Sequence, residues 1–223
     1  MIIDNSSEYF DTLLNQHSHF QRFPKMRPFV GENYIDDSHK KLLLLGESGY
    51  FPPNSIIHKD AVSWYENNEK NLTDEECDYY NWRNLVGKAW INNGHEMYRS
   101  INRSLKEVLT TNADRAVSHI AYTNSFYRPA EEPGESIKHF CSPLDIEKSL
   151  DITSHVIQSL APDIVVFVTK YSWDNVGWRI AEQFPNIQFE FTAHPADRRW
   201  WNRANYEHGK DKFISILEDN YLI

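Results

Sequence analysis

The run of four leucines in "KLLLL", residues 41–45, is the feature that most limits how this chain can fold. The run has the length of a strand, and a strand that is apolar on both faces is typical of a parallel sheet between helical layers. A second run of this kind, "DIVVFVT" at 163–169, indicates the same environment. The two runs together predict a parallel sheet that is covered on both faces.

The remaining elements follow from hydrophobic periodicity and from helix start signals. Two more strands are predicted at 116–123 and 187–192; the second alternates apolar and polar residues, so we expect it nearer an edge. Residues 22–37 are loop-like, and helices are predicted at 7–20, 73–89, 94–110, 142–160, 172–184 and 209–221. This alternation predicts an α/β chain, a three-layer α/β/α fold with a four-stranded parallel sheet. We expect one domain over 1–223, with 1–27 as an N-terminal helical extension.

Charge and cysteine content narrow the classes of function. The formal charge is −9, from 32 acidic and 23 basic residues, so DNA binding would need a local basic patch. Two cysteines alone, Cys77 and Cys141, cannot ligate a four-cysteine cluster or zinc site, and we expect no metal or other cofactor. No apolar run is long enough to cross a bilayer, and the N-terminus does not read as a secretory signal. We therefore expect no membrane association and a cytoplasmic location.

Polar and aromatic residues follow each of the four predicted strands. The four segments are "GESGYF" at 46–51, "NSFYRPAEEPG" at 124–134, "KYSW" at 170–173 and "AHPADRRWWNR" at 193–203. Open α/β sheets bind ligands in the crevice outside the carboxyl ends of their strands. We therefore expect these four segments to line one crevice.

The order and spacing of the motifs resemble those of the uracil-DNA glycosylase superfamily over residues 28–205. The matching segments are "GESG", "YTNSFYRP", the valine run and "HPADRRWWNR". The resemblance implies a single-domain α/β/α fold. It also implies an enzyme that flips uracil or a related damaged base out of DNA and hydrolyses its N-glycosidic bond without a metal. The first motif lacks the aspartate and asparagine that orient water in other branches, and Ala196 and Asp197 replace a serine and another small or apolar residue.

The resemblance implies roles for residues that follow the first and third strands. Glu47 and Ser48 would be catalytic, with Glu47 the nearest match to the polar group of the motif. Either Glu47 or a nearby backbone carbonyl would activate water. Gly46, Gly49 and Thr169 would contact the substrate, although the two glycines equally suit a tight turn between strand and helix.

The resemblance also implies how the base would be held. Either Tyr50 or Phe51 would stack on it, and Asn124 would contact its edge, since an amide can donate and accept at once. His194 would be catalytic, stabilising the charge that develops on the departing base. A structural alternative stays open for each polar group: Glu47 at a helix start, Asn124 capping a turn and His194 bonded to backbone.

The loop behind the fourth strand is rich in arginine and tryptophan. By resemblance it would contact DNA and enter the minor groove, through Arg198, Arg199, Trp200, Trp201 and Arg203. Either tryptophan would fill the gap left by a flipped base. A patch of this composition is also typical of protein interfaces.

Two functional hypotheses result. The first is a DNA glycosylase. The second is a catalytically inactive protein of the same fold that binds a base, a nucleotide or a protein partner in the crevice. The acidic charge and the altered motifs weigh against DNA binding, so the sequence does not decide between the two hypotheses. It also sets neither the base preference nor the oligomeric state.

Overall fold

A five-stranded sheet forms the centre of the structure, a computed structural model that describes residues 6–91, 95–109, 116–132, 134–204 and 206–222. The strands are β1 (Phe29–Val30), β2 (Leu42–Gly46), β3 (Ile120–Asn124), β4 (Ile164–Phe167) and β5 (Gln188–Phe191). They lie in the order β1-β3-β2-β4-β5. All neighbours are parallel except β1 and β3, which are antiparallel. The predicted α/β class is confirmed, whereas the predicted count of four strands is wrong.

The additional strand is β1, at one edge of the sheet. It has two residues, and Phe29 pairs with Tyr122 while Val30 pairs with Ala121. Two residues are too few to show a period, and the surrounding prolines favour a loop. β5 forms the opposite edge, as its alternating pattern predicts, and all four of its residues are half-buried.

Helices connect the strands. They are α1 (Asp11–Leu14), α2 (Ser18–Arg22), α3 (Ala61–Glu66), α4 (Asp74–Tyr80), α5 (Trp82–Ile91), α6 (Glu96–Val108), α7 (Pro143–Leu160), α8 (Lys170–Ser172), α9 (Trp178–Gln183), α10 (Arg198–Trp201) and α11 (Lys210–Asn220). A π-helical stretch, Trp173–Gly177, joins α8 to α9. Short 3-10 helices are Pro24–Met26, Glu69–Asn71, Ala116–His119 and Ile137–His139.

Local signals explain most of the helix boundaries. Ser142 caps α7 and Thr73 caps α4, each in a capping box with the acidic residue three positions later. The predicted helix 73–89 is divided at Asn81, whose non-helical backbone lies between α4 and α5. Residues 116–119 form a 3-10 helix instead of the first half of a strand. The predicted helix 94–110 begins and ends on residues outside the described ones.

Each face of the sheet is covered by its own hydrophobic core. Leu43 and Leu45 of β2 pack in the core that contains residues of α7, while Leu42 and Leu44 pack in the core that contains residues of α6 and α11. Both-sided burial explains why β2 is apolar at every position before Gly46. None of the helices in the described part of the chain has the length and apolarity needed to span a bilayer.

Candidate active site

The strand order locates the crevice of this sheet. From β2 the chain passes to β3 on one side, and it later enters β4 on the other side of β2. The carboxyl ends of β2 and β4 therefore flank a topological switch point, where open α/β sheets bind ligands. Glu47 follows β2 and Thr169 follows β4, and the Thr169 hydroxyl donates a hydrogen bond to Glu47 Oε2 at 3.2 Å.

Backbone hydrogen bonds place the segment after β3 beside the segment after β2. The amides of Ser125, Phe126 and Ala130 donate to the carbonyl oxygens of residues 46, 47 and 49 at 2.9, 2.8 and 2.9 Å. These bonds continue the pairing of β2 and β3 beyond the ends of the two strands. The two polar segments are therefore held together by main chain.

A cavity of about 1160 Å³ lies at this edge of the sheet. The predicted site residues that line it are Glu47, Ser48, Gly49, Tyr50, Asn124, Thr169, His194 and Trp200. The predicted site residues that are not part of its lining are Gly46, Phe51, Arg198, Arg199, Trp201 and Arg203. All four strand ends thus contribute to one cavity, which is the convergence that the sequence predicts.

The carboxylate of Glu47 is held by three donors. Its Oε1 accepts from the Ser136 hydroxyl at 2.5 Å and from the Ile137 amide at 3.1 Å, and its Oε2 accepts from Thr169. A carboxylate has about four acceptor positions, so about one remains for a ligand or water. Glu47 is therefore a positioned acceptor that lines the cavity, not a solvated carboxylate at a helix start.

His194 is held as a neutral donor. Its Nδ1 accepts the backbone N–H of Ala196 at 3.2 Å, which leaves the ring proton on Nε2. Burial lowers the pKa of His194 below its ordinary value, against the opposing negative charges of Glu47 and Asp197. The imidazole is therefore uncharged at neutral pH and carries one N–H that can be donated.

Asn124 and Ser48 differ in how tightly they are held. Asn124 is 6% exposed, and its Oδ1 accepts a hydrogen bond from the hydroxyl of Tyr122 at 3.1 Å. Ser48 lines the cavity but makes no hydrogen bond to His194 among the described residues. Asn124 is therefore held by a neighbour on its own strand, whereas the Ser48 hydroxyl is not hydrogen-bonded to the His194 imidazole.

The structure distinguishes between the paired aromatic candidates. Tyr50 lines the cavity and is 38% exposed, whereas Phe51 is 1% exposed and packs against His58, Trp64 and Tyr80. Phe51 is a core residue, so its assignment to base stacking is wrong. Two neighbours in an extended segment point to opposite sides, which is why only one of them reaches the cavity.

Of the two neighbouring tryptophans, too, one lines the cavity and the other lies in the core. Trp200 lines the cavity, while Trp201 is buried against Phe213 of α11. Trp201 is therefore a core residue and cannot fill the gap left by a flipped base. Arg199 and Arg203 lie over the Trp200 ring, with 5.7 and 5.2 Å from guanidinium carbon to ring centroid.

The arginines lie outside the cavity and are partly paired. Arg198 bonds Glu96 at 3.2 Å, and Arg199 contacts Asp197 at 3.6 Å. Their side chains are exposed, so these ion pairs are weak. Arg203 is exposed as well. These residues form an exposed basic cluster beside the cavity mouth.

The cavity lining itself is aromatic and acidic. Its described residues include eight aromatic side chains: Tyr50, Tyr79, Trp82, Tyr98, Tyr122, Tyr171, Trp200 and Tyr206. They also include five carboxylates (Glu47, Asp78, Glu96, Glu135, Asp197) and two lysines (Lys138, Lys170), a formal sum of −3. No group of three or more His, Cys, Asp or Glu residues suited to a metal ion occurs within the described ranges.

The sequence predictions omit several residues of the site, of which three bear most directly on the predicted ones. Ser136 holds Glu47, Tyr122 holds Asn124, and Trp82 contributes an indole to the lining. Tyr122 could have been found, because it precedes Asn124 by two positions on one strand and so shares its face. Ser136 and Trp82 carry no such signal. A scan against protein-family models finds no match, and a search of curated proteins finds none either.

Proposed function

We propose that this protein is a glycosylase that hydrolyses the N-glycosidic bond of uracil or a related damaged base in DNA. The observation that carries the proposal is the convergence of Glu47, Asn124 and His194 on one cavity, from three separate strand ends. They supply a carboxylate, an amide and a neutral imidazole, which are the groups that this reaction requires.

The chemistry assigns a task to each group. Water attacks C1′ of the sugar, the bond from C1′ to the base nitrogen breaks, and its electron pair leaves with the base. Glu47 accepts the proton of the attacking water, and its negative charge stabilises the positive charge that develops on the sugar. The Nε2–H of His194 donates a hydrogen bond to the negative charge that develops on the base. Asn124 contacts the base edge.

The distribution of charge fits a base inside the cavity and a DNA backbone outside it. The lining carries the formal charge of −3, whereas Arg198, Arg199 and Arg203 are exposed, and the last two lie over the Trp200 ring. Phosphates would contact this exposed basic cluster, and Trp200 would fill the gap left by the flipped base.

The test is an excision assay on single-stranded oligonucleotides that each contain one uracil or another damaged base. We expect release of free base by the wild-type protein. His194→Ala should lower the rate by about 100-fold or more, because it removes a donor to the developing charge. Asn124→Ala should likewise abolish excision. His139→Ala is the control, since His139 is exposed and is not part of the lining. Excision that is equally fast in all four proteins would refute the proposal.

The second candidate is a binding protein of this fold that has no glycosylase activity. The five carboxylates against two lysines in the lining favour it, because they repel the phosphates next to a flipped base. This candidate is supported if the protein binds a free base or nucleoside but releases no base from any damaged-base substrate.

A further inference from the structure

The amide of Asn124 is held in one orientation by Tyr122. The phenol hydroxyl donates to Oδ1 at 3.1 Å, and both side chains are buried. Oδ1 is an acceptor only, so this bond directs the amide oxygen toward Tyr122 and the NH₂ group away from it. Within the described part of the chain, Nδ2 of Asn124 makes no hydrogen bond, although the residue lines the cavity.

The absence of a side chain at Gly46 makes this orientation feasible. A methyl group on Gly46 would lie 2.1 Å from the Tyr122 hydroxyl and 2.4 Å from Asn124 Oδ1. Both distances are far below van der Waals contact. The strand therefore ends in glycine at the point where the phenol and the amide oxygen meet.

A second donor without a partner lies near the NH₂ of Asn124. Trp82 Nε1 is buried and has no hydrogen-bond partner among the described residues. A methyl group on Gly49 would lie 3.6 Å from this indole nitrogen and 3.9 Å from Asn124 Nδ2. Two unsatisfied donors therefore lie within reach of one point beside Gly49, which suits an acceptor oxygen of a ligand.

We propose that Tyr122 is a positioning residue that sets the base preference of the cavity through Asn124. By holding Oδ1, it directs Nδ2 toward a carbonyl oxygen of the bound base beside Gly49. The inference rests on the proposed function only in taking the ligand to be a nucleobase. Uracil carries a carbonyl oxygen where cytosine carries an amino group, and that amino group would meet the N–H donors of Asn124 and Trp82. The site accepts the oxo-base and rejects the amino-base.

Tyr122→Phe isolates the contribution of the hydroxyl. Without it the amide can rotate by half a turn and offer Oδ1 to the amino group of cytosine. We expect the preference for uracil over cytosine to fall by about tenfold, since hydrogen bonds to a base edge discriminate by a factor of this order. The change should come from a gain in cytosine affinity together with a loss in uracil affinity.

The experiment is a calorimetric titration of the full chain with uracil and with cytosine. Tyr221→Phe is the matched control, because Tyr221 is also a buried tyrosine whose hydroxyl donates a hydrogen bond, to the His119 carbonyl at 3.0 Å, and it does not line the cavity. The preference of Tyr221→Phe for uracil over cytosine should equal that of the wild type. An unchanged preference in Tyr122→Phe overturns the inference, and so does a wild-type protein that binds neither base.

Gly49→Ala provides an independent test if Tyr122→Phe does not fold. The added methyl group has room, at 3.6 and 3.9 Å from Trp82 Nε1 and Asn124 Nδ2, but it fills space that a ligand oxygen needs in order to approach the two donors. We expect at least a tenfold loss of uracil affinity at unchanged thermal stability, and retained affinity overturns the inference.

The excision assay separates this inference from the proposed function. If the preference falls in Tyr122→Phe while no protein releases base, the inference holds and the enzyme proposal fails. If base is released while the preference is unchanged, the enzyme proposal holds and the inference fails.

Discussion

At the scale of single residues, the two glycines after the leucine run have different reasons to be glycine. Within the described residues the only glycine with a positive φ is Gly134, so neither Gly46 nor Gly49 is required by its backbone conformation. Gly46 is instead required by close approach, because the Tyr122 hydroxyl and Asn124 Oδ1 occupy the space of a side chain. Gly49 leaves open a corner of the cavity.

We predict that Gly46→Ala lowers the free energy of unfolding by about 1–3 kcal/mol, the usual cost of overpacking. The same change at Gly49 should leave that free energy unchanged or slightly higher, because the methyl group has room there. Urea denaturation of both variants measures the difference. Equal stability of the two variants would contradict the close-approach explanation.

At the scale of structural elements, Arg128 anchors the segment that joins β3 to α7. Its guanidinium donates to both carboxylate oxygens of Asp145 at 2.8 and 2.9 Å, and to the carbonyls of His58 and Phe140 at 2.9 and 2.7 Å. The side chains of Arg128 and Asp145 are fully buried. The anchored segment carries Ser136 to Glu47, so a buried ion pair supports the candidate site from a distance.

We predict that Arg128→Met destabilises the protein by about 3–5 kcal/mol, because it leaves the Asp145 carboxylate buried without its partner. Lys59→Met is the control, since it removes an exposed ion pair to Glu132 in the same region and should cost less than about 1 kcal/mol. Chemical denaturation of both variants tests the prediction. A cost for Arg128→Met as small as that of the control would show that the pair contributes little.

At the scale of the whole molecule, several buried histidines make stability depend on pH. Burial lowers the pKa of His19, His58, His119 and His194 below the ordinary value of 6.5. These histidines resist protonation in the folded state, whereas the unfolded chain binds protons as the pH falls through 6.5. The contribution of these histidines to the free energy of unfolding is therefore fully present above pH 6.5 and is lost as the pH falls below it.

His19 should contribute strongly to this decline. It is 1% exposed among Phe20, Phe23 and Tyr127, and neither ring nitrogen has a partner among the described residues. We predict that His19→Phe reduces the loss of melting temperature between pH 7.5 and pH 5.5. His139→Phe changes an exposed position, so its melting temperature should fall between these two pH values by as much as that of the wild type. If the melting temperatures of the two variants fall equally, protonation of His19 does not cause the loss of stability at low pH.

Much of the fold is predictable because its signals are local. The leucine run and the valine run are apolar on both faces since both cores contact them, and the caps at Thr73 and Ser142 act within four residues. The errors occur where tertiary contacts decide. β1 exists only through its pairing with β3, and the division of the helix at Asn81 has no glycine or proline to announce it.

The sequence by itself determined that buried strands alternate with helices and that polar residues stand at the strand ends. Only the tertiary structure decided the strand order, and with it the position of Glu47 beside Thr169. It also decided that Tyr50 and not Phe51 lines the cavity. The physical reason is range: periodicity and capping act between neighbours in the chain, whereas a site forms from contacts such as that between Glu47 and Ser136, which join distant segments.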